Sequence, residues 1–69
     1  MKTINAAFLA AINPAQRQRI ITALALHYGT TEQEALDEVT GDDAEHLLDY
    51  LVEPVRSEAS VLMQAHGFH

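Results

Sequence analysis

Tyr28-Gly29-Thr30-Thr31-Glu32-Gln33-Glu34 ends one helix and starts another within seven residues. Glycine after a run of helix formers supplies the left-handed residue that closes a helix. Thr31 with Glu34 three residues later is a capping box: the hydroxyl accepts the first free amides and the carboxylate reaches back. Upstream, Asn13-Pro14-Ala15-Gln16 is a second start, with Asn13 as cap, Pro14 in the first turn and Gln16 closing the box. The helix between them carries Arg17, Ile20, Ile21, Leu24 and Tyr28. Downstream, a short helix buries Ala35, Leu36 and Val39 before Thr40-Gly41 stops it.

The same reading extends to both ends. Ile4, Ala7, Phe8, Ala11 and Ile12 recur at helical spacing, with Thr3 as cap and Asn13 turned away from helical dihedrals by the following proline. Asp42-Asp43-Ala44-Glu45 reads as a further box, opening a helix with Ala44, Leu47, Leu48, Leu51 and Val52 on its face. Pro54 breaks or kinks that helix. A last helix presents Val55, Ala59, Leu62, Met63 and His66, and Gly67-Phe68 forms a Schellman ending. Almost nothing alternates with period two. The expected fold is all-α, a compact bundle of four to five short helices with no sheet, as one domain over residues 1–69.

The chain has no cysteine, so disulfides and thiolate chemistry are excluded and apolar packing must stabilise the fold. A chain of this size buries only about 60% of its unfolded surface. Met1-Lys2 followed by an apolar run is similar to a signal peptide, but Asn5 interrupts the run and no small-residue cleavage pattern precedes Asn13-Pro14. The segment is read as the first helix of a cytoplasmic protein, and no stretch is long enough to span a membrane.

Charge is the least ordinary property of the chain. All ten acids fall between Glu32 and Glu58; residues 1–31 hold Lys2, Arg17 and Arg19 and no acid. Residues 32–69 hold those ten acids and Arg56 alone, a balance of 1 − 10 = −9. Glu32, Glu34, Asp42, Asp43 and Glu45 stand in first turns, where the helix dipole favours them. Asp37, Glu38, Asp49 and Glu53 do not, and no lysine is interleaved to form i,i+4 pairs. A solvated face explains solubility. It does not explain the missing lysines, and Asp37, Glu38, Asp49 and Glu53 are therefore the expected contacts to a basic protein surface.

Ala25-Leu26-His27-Tyr28-Gly29, followed by Thr31, resembles the first helix and turn of bacterial helix-turn-helix units. In that family the next helix enters the major groove. Here it is Glu32–Val39, with four carboxylates and no cation, which phosphates would repel. No direct nucleic-acid contact is expected. Asp43–Val52 is similar to the last, acidic-apolar helix of ubiquitin-associated domains. Tyr28-Gly29-Thr30 replaces that family's Met-Gly-Phe loop, and its partner is not carried over.

No catalytic, cofactor or metal site is expected. His46 with Asp49, Glu45, Asp42 and Asp43, and His66 with His69, lack three ligands at a characteristic spacing. His66 and His27 read as half-buried side chains with polar tips outward. Ser57 and Ser60 lack histidine-acid neighbours, and no glycine-rich phosphate loop exists. The expected function is a small non-catalytic regulator or adaptor. The alternatives are an acidic mimic that occupies a nucleic-acid-binding protein, and a homodimer. In the homodimer Arg17 and Arg19 would meet the acids of a second copy, or Leu26, Tyr50 and Val61 would pack across the interface.

Overall fold

The computed structural model describes residues 3–68. Four α-helices follow one another: α1 (Ile4–Ala11), α2 (Pro14–Tyr28), α3 (Glu32–Thr40) and α4 (Val55–Ala65), with a 3-10 turn, Leu47–Tyr50, between α3 and α4. No strand occurs among the described residues. No described helix is long and apolar enough to cross a membrane.

The local punctuation behaves as its chemistry requires. Asn13 Oδ1 accepts the Gln16 amide at 2.8 Å and Gln16 Oε1 accepts the Asn13 amide at 3.3 Å. Thr31 and Glu34 form the equivalent box on α3. Gly29 closes α2 at φ 67, a left-handed conformation that costs a β-carbon-bearing residue energy. At the far end, the Phe68 amide donates to Met63 O at 2.7 Å and the Gly67 amide to Gln64 O at 3.2 Å, which is the Schellman pair. It swings Phe68 back to meet Phe8 edge-on, with ring centroids 5.8 Å apart.

One core joins the helices. Phe8, Leu24, Val39 and Leu47 are its largest fully enclosed side chains, with Ile20, Leu51, Ala59 and Met63 around them. Arg17 ties α1 to α2: its guanidinium donates to Leu9 O at 2.8 Å and Ile12 O at 3.2 Å, carbonyls that the end of α1 leaves without helical partners.

Two readings are corrected. The buried stripe of α1 is Asn5, Phe8, Leu9 and Ile12, one residue round from the expected face, while Ile4 and Ala11 are exposed. Leu9 offers more apolar surface than Ala7 or Ala11, and Asn5 has buried partners waiting for it. The helix expected from Asp42 through Val52 is not there. Gly41 and Ala44 instead bracket a turn, closed by the Ala44 amide on Gly41 O at 3.1 Å, and only Leu47–Tyr50 winds, as a 3-10 turn.

The cause of this second departure lies in α1. A helix here needs the Leu47 amide to bond Asp43 O and the Glu45 carbonyl to receive the Asp49 amide. Asn5 Oδ1 accepts the Leu47 amide at 2.9 Å and Asn5 Nδ2 donates to Glu45 O at 2.7 Å. The Glu45 amide goes to the Tyr50 hydroxyl at 2.8 Å. Leu47 and Leu51 still reach the core, but Val52 is 74% exposed. Pro54 separates this segment from α4.

Candidate functional site

Residues 41–44, followed by the segment that Asn5 holds out of a helix, form one wall of a cleft whose other wall is α3. Tyr28, Asp37, Glu38, Gly41, Asp42, Asp43, Ala44 and Tyr50 line an open space of about 340 Å³. Tyr28, at the end of α2, and Tyr50, at the end of the 3-10 turn, meet there with ring centroids 5.4 Å apart. His27 packs against both rings, at 5.2 Å and 5.7 Å. Burial above all, then neighbouring Tyr50 and the Glu38 carboxylate, pushes the Tyr28 phenol up to about 12. Four carboxylates rim a cleft with an aromatic pair on its wall.

Internal bonds sort the acids by use. Glu34 caps α3. Glu32 accepts from Gln18 Nε2 at 2.8 Å and from the Thr22 hydroxyl at 3.1 Å. Glu58 takes both Arg19 Nε and Nη2, the latter at 2.8 Å, and each partner holds the other charged: the Glu58 carboxyl lies below its usual range and the Arg19 guanidinium above. Glu53 accepts the Ser57 amide at 2.8 Å and the Ser57 hydroxyl at 2.6 Å, which caps α4 where Pro54 has no side-chain donor or acceptor. Those two bonds, hydroxyl first, lower the Glu53 carboxyl. Among the described residues, Glu38, Asp42, Asp43, Glu45 and Asp49 pair with no cation.

Of the four expected contact residues, the fold brings Asp37 and Glu38 together in this cleft. Glu53 lines a separate groove on the other side of Tyr50, and Asp49 is exposed on the 3-10 turn. The line of acids from α3 onward is thus divided by Tyr50. Sequence reasoning missed the tyrosine pair, because residues 28 and 50 share no local pattern. It placed Asp42 and Asp43 in a helical first turn, whereas the Gly41–Ala44 turn presents them to solvent.

Arg17 and Arg19, the residues expected at a dimer contact, bond within the chain to α1 and to Glu58. His27 and His66 are exposed rather than half-buried. His46 Nδ1 accepts the Leu48 amide at 3.3 Å and so starts the 3-10 turn. No group of three or more His, Asp or Glu placed to hold a metal occurs among the described residues, and His69 lies outside them.

Comparison with known proteins returned no matching family, no significantly similar curated protein and no significantly similar solved structure.

Proposed function

We propose that the chain is a non-catalytic interaction protein whose acidic cleft receives Arg or Lys side chains from a basic partner protein. The observation that carries this reading is the convergence of Asp37, Glu38, Asp42 and Asp43 on the Tyr28–Tyr50 pair, while Arg17 and Arg19 are bonded to α1 and to Glu58. A cation in this cleft meets carboxylates on the rim and aromatic faces on the wall, and ring faces attract cations by about 0.5–2 kcal/mol depending on desolvation. The rim charges steer the encounter and are screened over about 8 Å at physiological ionic strength. Asp49 and Glu53 lie outside the cleft lining, on the 3-10 turn and in the neighbouring groove, and add to the negative charge of the chain.

The test is recovery of the partner from extract of the source cells with tagged protein. The variant Asp37→Asn/Glu38→Gln/Asp42→Asn/Asp43→Asn is run alongside Glu32→Gln/Glu34→Gln, which removes charge one turn away on α3, outside the cleft lining. A basic protein released by salt, lost with the cleft variant and kept with the other, supports the reading. Equal recovery by all three proteins would remove the cleft from the account. Displacement of the partner by duplex DNA would point to the nucleic-acid-mimic alternative instead.

A further inference from the structure

Tyr50 is shared by two surfaces. On its far side Ala23, Leu26, His27, Val52, Glu53 and Val55 line, with it, a second groove of about 340 Å³. Ala23, Leu26 and His27 are one face of α2, at i, i+3 and i+4; Val52 and Val55 flank Pro54 opposite. Leu26 is 80% exposed and Val52 is 74% exposed, so each leaves a large apolar side chain in water beside an aromatic ring. Scattered exposed apolar residues need no explanation, but these two share one groove, and that groove shares a wall with the acidic cleft.

Charge decides among occupants. A second copy brings another net −6 to a surface already rimmed by Glu53 and continuous with Asp37, Glu38, Asp42 and Asp43. Of its described arginines, Arg17 and Arg19 are bonded within their own chain, which leaves the exposed Arg56 as a single positive charge to set against that excess. An anionic membrane is repelled for the same reason. What complements a groove of this kind is apolar side chains carried next to positive ones.

We propose that the Leu26–Val52 groove and the acidic cleft form one continuous surface for a basic amphipathic helix of another protein. Its apolar face lies along α2 against Leu26, Val52 and Val55, and its Lys or Arg side chains cross Tyr50 into the cleft. Helices docked in grooves are read through anchors at i, i+3 and i+4, the spacing that α2 itself presents here. The proposal rests on the acidic-cleft reading and adds the partner's form to it: the cleft supplies attraction to any cation, and the groove selects a helix with an apolar stripe.

The experiment uses the full chain and two peptides of roughly four helical turns. One is a Leu/Lys sequence with its leucines on a single helical face; the other is a scramble of the same composition. Affinities are measured by calorimetry for wild type, Leu26→Ser/Val52→Ser and the cleft variant Asp37→Asn/Glu38→Gln/Asp42→Asn/Asp43→Asn. The two groove substitutions lie at the surface and leave the core untouched; circular dichroism checks the fold.

The expected result is preference of wild type for the patterned peptide by about tenfold, lost in the groove variant, with scramble binding unchanged. Wild type and groove variant binding the patterned peptide equally overturns the groove proposal and leaves the acidic cleft standing. Unchanged binding of both peptides by the cleft variant overturns the cleft reading, and the joint surface with it. Sedimentation showing a wild-type dimer that the groove substitutions dissociate would overturn the proposal in favour of self-association, and groove-dependent binding to anionic vesicles in favour of a membrane.

Discussion

The Asn5 carboxamide oxygen accepts the Leu47 backbone amide at 2.9 Å across 42 residues of chain, inside the core. The same side chain donates to Val39 O at 2.9 Å and Glu45 O at 2.7 Å, so one buried amide fixes the end of α3 and both sides of the 3-10 turn's entry. This contact keeps residues 41–46 out of a helix, and residues 41–44 of that segment form a wall of the acidic cleft.

Asn5→Ala should therefore be costly out of proportion to its size. It leaves the Leu47 amide and two carbonyls short of partners, and an unsatisfied buried group costs about 1–3 kcal/mol. The expected loss is roughly 2–3 kcal/mol in urea unfolding, a large share of a small domain's stability. Hydrogen exchange adds a local signature: the Leu47 amide, protected in wild type, exchanges faster in the variant than amides of α2.

Thr31→Ala removes the capping hydroxyl from α3 and should cost about 1 kcal/mol. Thr30→Ala, one residue earlier and outside the box, should be close to neutral. Equal losses at the two positions would show that the cap contributes nothing particular.

In alkali, Tyr28 is the group to follow. Its folded value of about 12 exceeds the ordinary tyrosine value of roughly 10. The folded chain thus keeps a proton that the unfolded chain releases. The stabilisation is complete below about pH 10 and is lost as pH rises toward 12. Phenolate absorbance should show a late tyrosine step that Tyr28→Phe removes, and wild type should lose more stability than that variant over this interval.

In acid the sign reverses. Glu53 and Glu58 are held below their usual range by Ser57 and Arg19. The unfolded chain takes up these protons first, so their stabilisation is present above about pH 4.3 and lost as pH falls through the folded values. Both groups are exposed, which keeps the effect small. Glu58→Gln should flatten the acid limb of a stability-against-pH curve slightly, and Glu53→Gln should do so independently.

The elements legible from sequence are those whose determinants lie within one helical turn. Asn13 with Gln16, Thr31 with Glu34, Gly29, and Gly67 with Phe68 each satisfy free backbone groups a few residues away. The all-α fold follows from them. The fourth helix misled because Asp42, Glu45 and the leucines after them carry a sound local signal that Asn5, distant in sequence, overrides. The inward face of α1 was missed for the same reason, since an isolated Asn in an apolar run gives no sign of three waiting backbone partners. Of the expected contact residues, Asp37 and Glu38 share a cleft because they are adjacent on α3. Their company with Tyr28, Tyr50 and the Asp42-Asp43 turn depends on tertiary packing that no spacing encodes.

The most direct test of the acidic cleft is a two-dimensional amide NMR titration with a short arginine-glycine peptide at low and physiological salt. The account predicts salt-sensitive shifts concentrated at Gly41, Asp42, Asp43 and Ala44, at Asp37 and Glu38, and at the Tyr28 and Tyr50 rings. Shifts centred on Glu32 and Glu34, or spread evenly over all the acids, would contradict it.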